Sequence, residues 1–199
     1  MNRSGTAPCQ CSSPGAVKIV SPGWASMTVP SRDPSRATPS RMRSTWPSRC
    51  ECQWGGEEGL LRLAGAWHGR LMADEVVSHA FHHGFNPAHS ERLAAYWAEA
   101  LGGPATYSER YGTEAAVVRI HSGNGVHEEM DRRAIACFDQ ALADVGLAGD
   151  ERLRQVLHDY FAWATMTTMA RYPHSAGDVP DGLPIPRWSW DGLVEETIA

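Results

Sequence analysis

The feature that most constrains this chain is a series of amphipathic segments that begins at residue 55. Apolar residues recur there every three or four positions, which places them on one face of an α-helix. Clusters rich in glycine and proline, such as 102–104 and 122–125, separate the segments and predict where helices end. No segment alternates apolar and polar residues as a half-buried strand does, so we predict no strands and an all-α fold.

These breaks divide residues 55–199 into four main helices and two short segments. Four main helices suit two antiparallel helix pairs stacked across each other. The tail after the last helix is irregular, but its two tryptophans predict that it packs back on the domain. Main helices are expected at 55–71, 86–101, 126–145 and 150–171, with a short helical piece at 75–81 and a short helical or extended run at 114–121.

Residues 1–54 differ in composition from the rest of the chain. They contain seven of the 13 prolines, many serines and only two acidic residues. A segment of this kind cannot bury enough apolar surface to offset its chain entropy. We therefore predict a disordered extension at 1–54 and a folded domain at 55–199.

Charge and hydropathy exclude two classes of partner. The net charge of −5 argues against a general nucleic-acid partner. No stretch of about 18 apolar residues occurs, so we expect no transmembrane helix and no membrane partner. The N-terminus lacks the apolar core of a signal peptide, and the expected location is therefore cytoplasmic.

Nine histidines are the main chemical signal in the sequence. None has the H-E-x-x-H or C-x-x-C spacing of an ordinary zinc site. His68, His89 and His121 each fall beside apolar neighbours in a different helical segment. A lone histidine of this kind is usually a structural core residue. Three of them in one small all-α domain would let imidazole enter an apolar pocket from opposite sides, as a haem iron requires.

Several segments of the domain resemble the group II truncated haemoglobins, the two-over-two globin family. The most specific is the run Gly-Gly-Pro-Ala-Thr-Tyr-Ser-Glu at 102–109. The resemblance covers nearly all of 55–193, has no counterpart for 1–54, and implies a truncated globin fold, a two-over-two helical sandwich, with a haem b cofactor. The other matching segments are 55–59, 73–77, 91–93 and 184–192.

The resemblance implies roles for individual residues. It makes His121 the proximal ligand of the haem iron. Phe81 matches an aromatic residue that packs on the haem, and Arg92 matches a basic residue near a haem propionate. The remaining haem contacts that it implies are Leu93, Tyr96 and Tyr107.

The sequence departs from the family pattern on both sides of the haem. His68 stands where the family usually has a distal tyrosine, and Ala134 where it usually has a tryptophan. His89 stands where a globin can place its ligand-facing histidine, so His68 and His89 are the implied donors to a bound ligand. After His121 a glycine-rich stretch, 122–125, replaces a Pro-Phe pair and predicts a more flexible loop.

The implied function is a globin that binds a diatomic gas such as O₂, NO or CO. An NO-detoxifying or peroxidase-like redox activity stays open, and it would require an external reductase, since no flavin or nicotinamide motif is visible. A gas sensor or electron-transfer haem protein is one alternative, and a cofactor-free all-α protein is another. The protein is expected to be a monomer or a homodimer.

Overall fold

The structure is a computed structural model that describes residues 56–81, 84 and 86–194. The predicted extension 1–54 and the domain boundary placed after it lie outside these residues. Within the described part of the chain the backbone is mostly helical, which confirms the all-α prediction. No helix in that part has both the length and the apolar character needed to cross a bilayer.

Six α-helices organise the described residues. The four longest lie where the main helices are predicted, namely α1 (Gly56–Ala73), α2 (His89–Ala100), α5 (Glu128–Asp144) and α6 (Glu151–Trp163). The two short ones are α3 (Thr106–Arg110) and α4 (Glu114–His121). A π-helical segment, Ala164–Met169, continues α6, and 3₁₀ turns cover Val77–Phe81, Leu147–Gly149 and Ala176–Asp178.

The long helices pack as two pairs. α1 packs along α2, α5 packs along α6, and α1 also contacts α5. α3 lies against α2, whereas α4 lies against the π-helical segment and the last 3₁₀ turn. α4, the helix that ends at His121, is therefore held mainly by segments that follow α6.

An aromatic cluster joins the four long helices at the centre of the core. Phe138 of α5 and Phe161 of α6 stack with ring centroids 4.1 Å apart and planes 4° apart. Trp67 of α1 and Trp97 of α2 each meet Phe161 edge to face. Aromatic rings bury the largest apolar area per side chain, so this cluster supplies much of the cohesion between the two pairs.

The prediction of no strands is wrong for the tail. β1 (Arg187–Ser189) and β2 (Gly192–Val194) pair antiparallel, with Trp188 opposite Leu193. Strands of three residues are too short to show an alternating pattern in the sequence. Gly192 follows the turn with a φ of +106°, a conformation that glycine adopts without steric cost.

The tail packs on the domain, as its tryptophans predict. Trp188 is buried, and its ring centroid lies 5.9 Å from that of Tyr160 and 5.4 Å from that of Trp163. Trp190 lies under the guanidinium of Arg152, 4.8 Å from the ring centroid. The end of the described chain is therefore part of the core and not an appendage.

A buried carboxylate connects α2, α3 and β1. Glu99 is only 3% exposed, and its oxygens accept hydrogen bonds from the Ser108 amide at 2.9 Å and the Ser108 hydroxyl at 2.8 Å. Arg187 donates to the Glu99 carbonyl oxygen, and its second terminal nitrogen lies 3.7 Å from the carboxylate. The charge of Glu99 is thus balanced and its lone pairs are used, which is what permits its burial.

Helix boundaries differ from the prediction in two places. α2 begins at His89 and not at 86, because the Asn86 side chain accepts from the Ala88 amide at 2.9 Å and closes a turn before the helix. The last predicted helix, 150–171, is α-helical only to Trp163 and then becomes π-helical. Apolar periodicity does not distinguish these conformations, so the sequence could not locate the change.

Candidate functional site

His121 is the last residue of α4, and both ends of that helix are fixed. At its start the Thr113 hydroxyl accepts from the Ala116 amide at 3.3 Å, a standard N-terminal cap. Beyond its end, the Gly123 amide donates to the Tyr172 carbonyl oxygen at 3.0 Å and the Gly125 amide to that of Pro173 at 2.8 Å. The loop that the sequence predicts to be more flexible is therefore tied to the segment after α6.

The hydrogen bond of His121 fixes which ring nitrogen carries a proton. Nδ1 lies 2.8 Å from the carbonyl oxygen of Val117, which can only accept, so Nδ1 is the protonated nitrogen of the neutral ring. Nε2 then keeps its lone pair. A backbone carbonyl that orients an imidazole in this way is the usual support of a metal-ligating histidine.

The imidazole of His121 lies at the surface of the protein. Its side chain is exposed, yet desolvation by the surrounding protein lowers its pKa, against smaller opposing effects of the Val117 hydrogen bond and the Asp131 carboxylate. The ring is therefore neutral at pH 7 and reachable from outside. Close to it in the sequence, Ile120 is 75% exposed and Val126 is 70% exposed. Apolar side chains as exposed as these suit a surface that a flat apolar cofactor covers.

Three aromatic side chains from different elements meet at the predicted distal side. The ring centroid of His68, on α1, lies 5.4 Å from that of Phe81 and 5.2 Å from that of His89 on α2. Phe81 and His89 are 5.8 Å apart and nearly perpendicular. The structure thus brings together the two predicted ligand donors and the predicted haem-packing phenylalanine.

Electrostatics connect this distal group to His121. Burial lowers the pKa of His89, and the positive charges that His68, His121 and Arg92 can carry lower it further. His121 therefore lies near enough to His89 for its charge to affect the pKa of His89. Histidines from α1, α2 and α4 border one region of the molecule, as the reading of the sequence required.

The space beside Ala134 is occupied by Trp67. The indole nitrogen of Trp67 donates to the Ala134 carbonyl oxygen at 3.0 Å, and both residues pack against the same small apolar cluster. An indole has a single donor, so Trp67 has no N–H left for a ligand. Trp67 of α1 therefore lies beside Ala134, the position on α5 where the resembled family usually has a tryptophan. Its N–H is already used and cannot donate to a ligand as that tryptophan would.

Arg92 and Leu93 lie near the distal group on α2. The Arg92 guanidinium donates to the Tyr111 carbonyl oxygen at 3.0 Å and lies over the rings of Tyr107 and Tyr111, 5.9 Å and 5.3 Å from their centroids. Leu93 is half-buried against the main core. Arg92 is thus positioned by α3, and its remaining N–H groups stay the predicted partners of a propionate.

Tyr96 and Tyr107 are placed in the main core. Their rings meet edge to face with centroids 5.2 Å apart. The Tyr96 hydroxyl donates to Oε2 of Glu114 at 2.9 Å. The sequence analysis missed Glu114, because a glutamate at the start of a helix is normally a solvated residue that favours the helix dipole.

Comparisons with known proteins identify the family and the fold. The sequence matches the profile of the bacterial-like globin family over residues 53–167. A variant of the group II truncated hemoglobin from Bacillus anthracis has a similar structure, with a TM-score of 0.54, 20% identity, and coverage of 67% of this chain and 98% of that chain. The hemoglobin of the thermophilic phototrophic bacterium Chloroflexus aurantiacus gives a TM-score of 0.51 and 26% identity, covering 61% and 97%. No curated protein matches the sequence.

The family match and the fold together define a haem-binding globin. The profile match covers more than half of the chain, and the protein belongs to the bacterial-like globin family. Both of these structural neighbours are hemoglobins and one is a group II truncated hemoglobin, which confirms the predicted fold. Membership in this family favours haem binding over a cofactor-free all-α protein.

Proposed function

We propose that this globin holds haem b through His121 and binds a diatomic gas, O₂, NO or CO, on the opposite side. The observation that carries the proposal is the hydrogen bond from Nδ1 of His121 to Val117, which leaves Nε2 available as a ligand. The lowered pKa of His121 supports it, since the ring need not lose a proton to bind a metal. Haem supplies an iron centre with an open coordination position for the gas.

Other residues would hold the cofactor in place. Phe81 is proposed to pack on its face, and the guanidinium of Arg92 to meet a propionate. The exposed apolar side chains of Ile120 and Val126 would be covered by the ring system, which removes them from water. The remaining proposed contacts are Leu93, Tyr96 and Tyr107.

His68 and His89 are the proposed hydrogen-bond donors to the gas. Burial lowers the pKa of His89, so its ring is neutral at pH 7 and presents one N–H and one lone pair. We favour His89 as the principal donor because of its position on α2, where the family resemblance places a ligand-facing histidine. His68 contacts the His89 ring and would act beside it.

A redox activity, either NO dioxygenation or peroxidase-like turnover, is the form of catalysis that we propose for such a site. Two imidazoles near a gas ligand can hold or move protons, which favours turnover over simple storage. Electrons would come from an external reductase. The oligomeric state, monomer or homodimer, and the cytoplasmic location stay predictions.

Electron transfer or gas sensing is the second candidate function. It is favoured by the electrostatic influence of His121 on His89, because a second histidine within reach of the iron would hold it in place of the gas. Such a protein would exchange electrons readily and admit gases slowly.

An absorption spectrum of purified protein after haem supplementation tests the proposal. We expect a Soret band in the wild-type protein and its loss in His121→Ala. A ferrous form with five ligands would support gas binding, and one with six ligands would support the second candidate. A colourless wild-type protein would refute both.

A further inference from the structure

Glu114 is a buried carboxyl group to which the proposed haem binding assigns no role. Its side chain is 2% exposed, at the first residue of α4. Oε2 accepts the hydrogen bond from Tyr96, whereas Oε1 is buried without a hydrogen-bond partner among the described residues. An ionised carboxylate with an unsatisfied oxygen is costly to bury, so this position favours the neutral acid.

The groups that face Glu114 are neutral hydroxyls. Tyr96 of α2, Tyr107 of α3 and Tyr160 of α6 lie around it, and burial is the main reason why the pKa of each is raised. The Tyr160 hydroxyl is likewise buried with no hydrogen-bond partner in the described part of the chain. Of the segments that hold α4, the π-helical one has no titratable side chain and the last 3₁₀ turn has only the exposed Asp178.

Nearby cations are engaged by other groups. Arg92 donates to the carbonyl oxygen of Tyr111, and Arg119 of α4 pairs with Asp181 at 2.5 Å. Among the described residues no arginine, lysine or histidine forms an ion pair with Glu114. Burial therefore raises the pKa of Glu114 to about 7, although the hydrogen bond from Tyr96 lowers it.

The position of Glu114 on α4 relates it to the cofactor. It precedes His121 by seven residues on the same helix, which is close to two full turns. The two residues thus lie on the same side of α4, roughly 10 Å apart along its axis. At an effective dielectric constant of about 20, two unit charges roughly 12 Å apart change an equilibrium constant by about tenfold.

We propose that Glu114 is the proton acceptor coupled to one-electron reduction of the haem iron, an inference that rests on the proposed function. When a one-electron donor converts ferric to ferrous iron, the positive charge near His121 falls by one. The carboxylate of Glu114 then binds a proton from water more tightly, and it releases that proton more readily when the iron is oxidised again. Proton uptake offsets part of the lost positive charge, which lowers the cost of an unbalanced charge in a low dielectric.

The coupling has a defined sign and size. The ionised carboxylate stabilises ferric iron, so the reduction potential falls as pH rises through the range in which Glu114 ionises. A tenfold coupling corresponds to a total fall of about 59 mV for a one-electron couple. The pKa of about 7 places this fall around neutral pH.

Potentiometric titration of the haem-loaded protein from about pH 5 to about pH 9 measures the coupling. Glu114→Gln keeps the shape and the hydrogen bond but cannot ionise. We expect it to lose the fall around neutral pH and to keep the potential of the wild type at acid pH. Two control variants, Glu109→Gln on the exposed side of α3 and Asp131→Asn beside His121, should retain the fall.

Tyr96→Phe provides a positional test. It removes the hydrogen bond that lowers the pKa of Glu114, so the fall in potential should move to higher pH and keep its size. In the haem-free protein, the infrared band of a protonated carboxyl should titrate around neutral pH in the wild type and be missing in Glu114→Gln. If Glu114 had only a structural role, neither the pH dependence of the reduction potential nor the titration of the infrared band would change in these variants.

The outcomes separate this inference from the proposed function. If haem binding is absent or independent of His121, the proposed function fails and the coupling fails with it. If haem binds through His121 and the potentials of wild type and Glu114→Gln show the same pH dependence, the coupling alone is refuted. If Asp131→Asn loses the pH dependence, the proton binds at Asp131 and not at Glu114, and the inference is also overturned.

Discussion

The imidazole rings of His68 and His89 lie 5.2 Å apart between centroids, with their planes tilted by 46°. They come from α1 and α2, the two helices of one pair, and Phe81 contacts both rings. Because burial lowers the pKa of His89, this histidine is neutral at pH 7. His89 can therefore offer an N–H to the proposed gas ligand without bringing a buried positive charge.

Replacing His89 by leucine should speed O₂ dissociation from the ferrous protein by roughly 5- to 10-fold, the equivalent of one hydrogen bond. His68→Leu should have the same direction and a smaller effect. Stopped-flow displacement of O₂ by CO measures both rates, with the exposed His127→Leu as the matched control. Unchanged dissociation in both variants would exclude the two histidines from ligand binding.

His121→Ala should abolish stable haem binding, because no other side chain is expected to anchor the iron from that side. Haem retention on a desalting column, followed by the Soret absorbance, measures the loss. Added imidazole should restore part of the band by filling the space left by the side chain. His127→Ala and His158→Ala should bind haem normally, and a wild-type haem content in His121→Ala would show that the ligand lies elsewhere.

Glu99→Ala should lower the free energy of unfolding by about 1 to 3 kcal/mol, since it leaves the Ser108 amide and hydroxyl without their acceptor. Urea unfolding followed by circular dichroism provides the measurement. The exposed Glu109→Ala on α3 is the control and should change stability by less than about 0.5 kcal/mol. Equal changes in the free energy of unfolding for the two variants would show that the buried hydrogen bonds of Glu99 do not stabilise the fold.

Glu114→Gln should stabilise the haem-free protein at alkaline pH. The pKa of Glu114 rises from its ordinary value of 4.5 to about 7 on folding, so the native state holds a proton that the unfolded state has released between these values. Its contribution to stability is complete below the ordinary value and is lost as pH rises to about 7.

The variant cannot ionise and should therefore exceed the wild type by about 1 to 3 kcal/mol at alkaline pH. The difference should vanish in acid. Urea midpoints measured at both extremes test this expectation, and a variant that is less stable than the wild type at alkaline pH would contradict it.

A shortened chain that begins at Cys52 should unfold within about 1 kcal/mol of the full chain, the scale of ordinary surface changes. The reasons are the composition of 1–54 and the start of the family match at residue 53. Thermal unfolding and haem content should be compared for the two proteins. A large loss of bound haem on shortening would show that the extension belongs to the folded domain.

Much of the fold is predictable from the sequence because apolar spacing and glycine breaks act locally. The run at 102–104 ends α2, and the apolar face that contains Phe138 identifies α5. The hairpin at the end of the chain is not predictable in this way. Its strands pair only because Trp188 is buried against α6, a contact that depends on the completed core.

The site is predictable where a single residue type carries the chemistry. Histidine is uncommon enough on apolar faces that His68, His89 and His121 could be selected, and the structure brings them to one region. Glu114 could not be selected, since its properties arise from the tyrosines that three other elements place around it. Trp67 likewise fills space beside Ala134 through a contact between distant helices.

The tail that contains Trp188 also determines when the core of this protein can be completed. Synthesis proceeds from the N-terminus, so α1 and α2 leave the ribosome long before β1. Until β1 has also emerged, Glu99 lacks Arg187 and the aromatic face of α6 stays open to water. Chains that terminate before the hairpin therefore carry an exposed aromatic surface that marks them for aggregation or degradation.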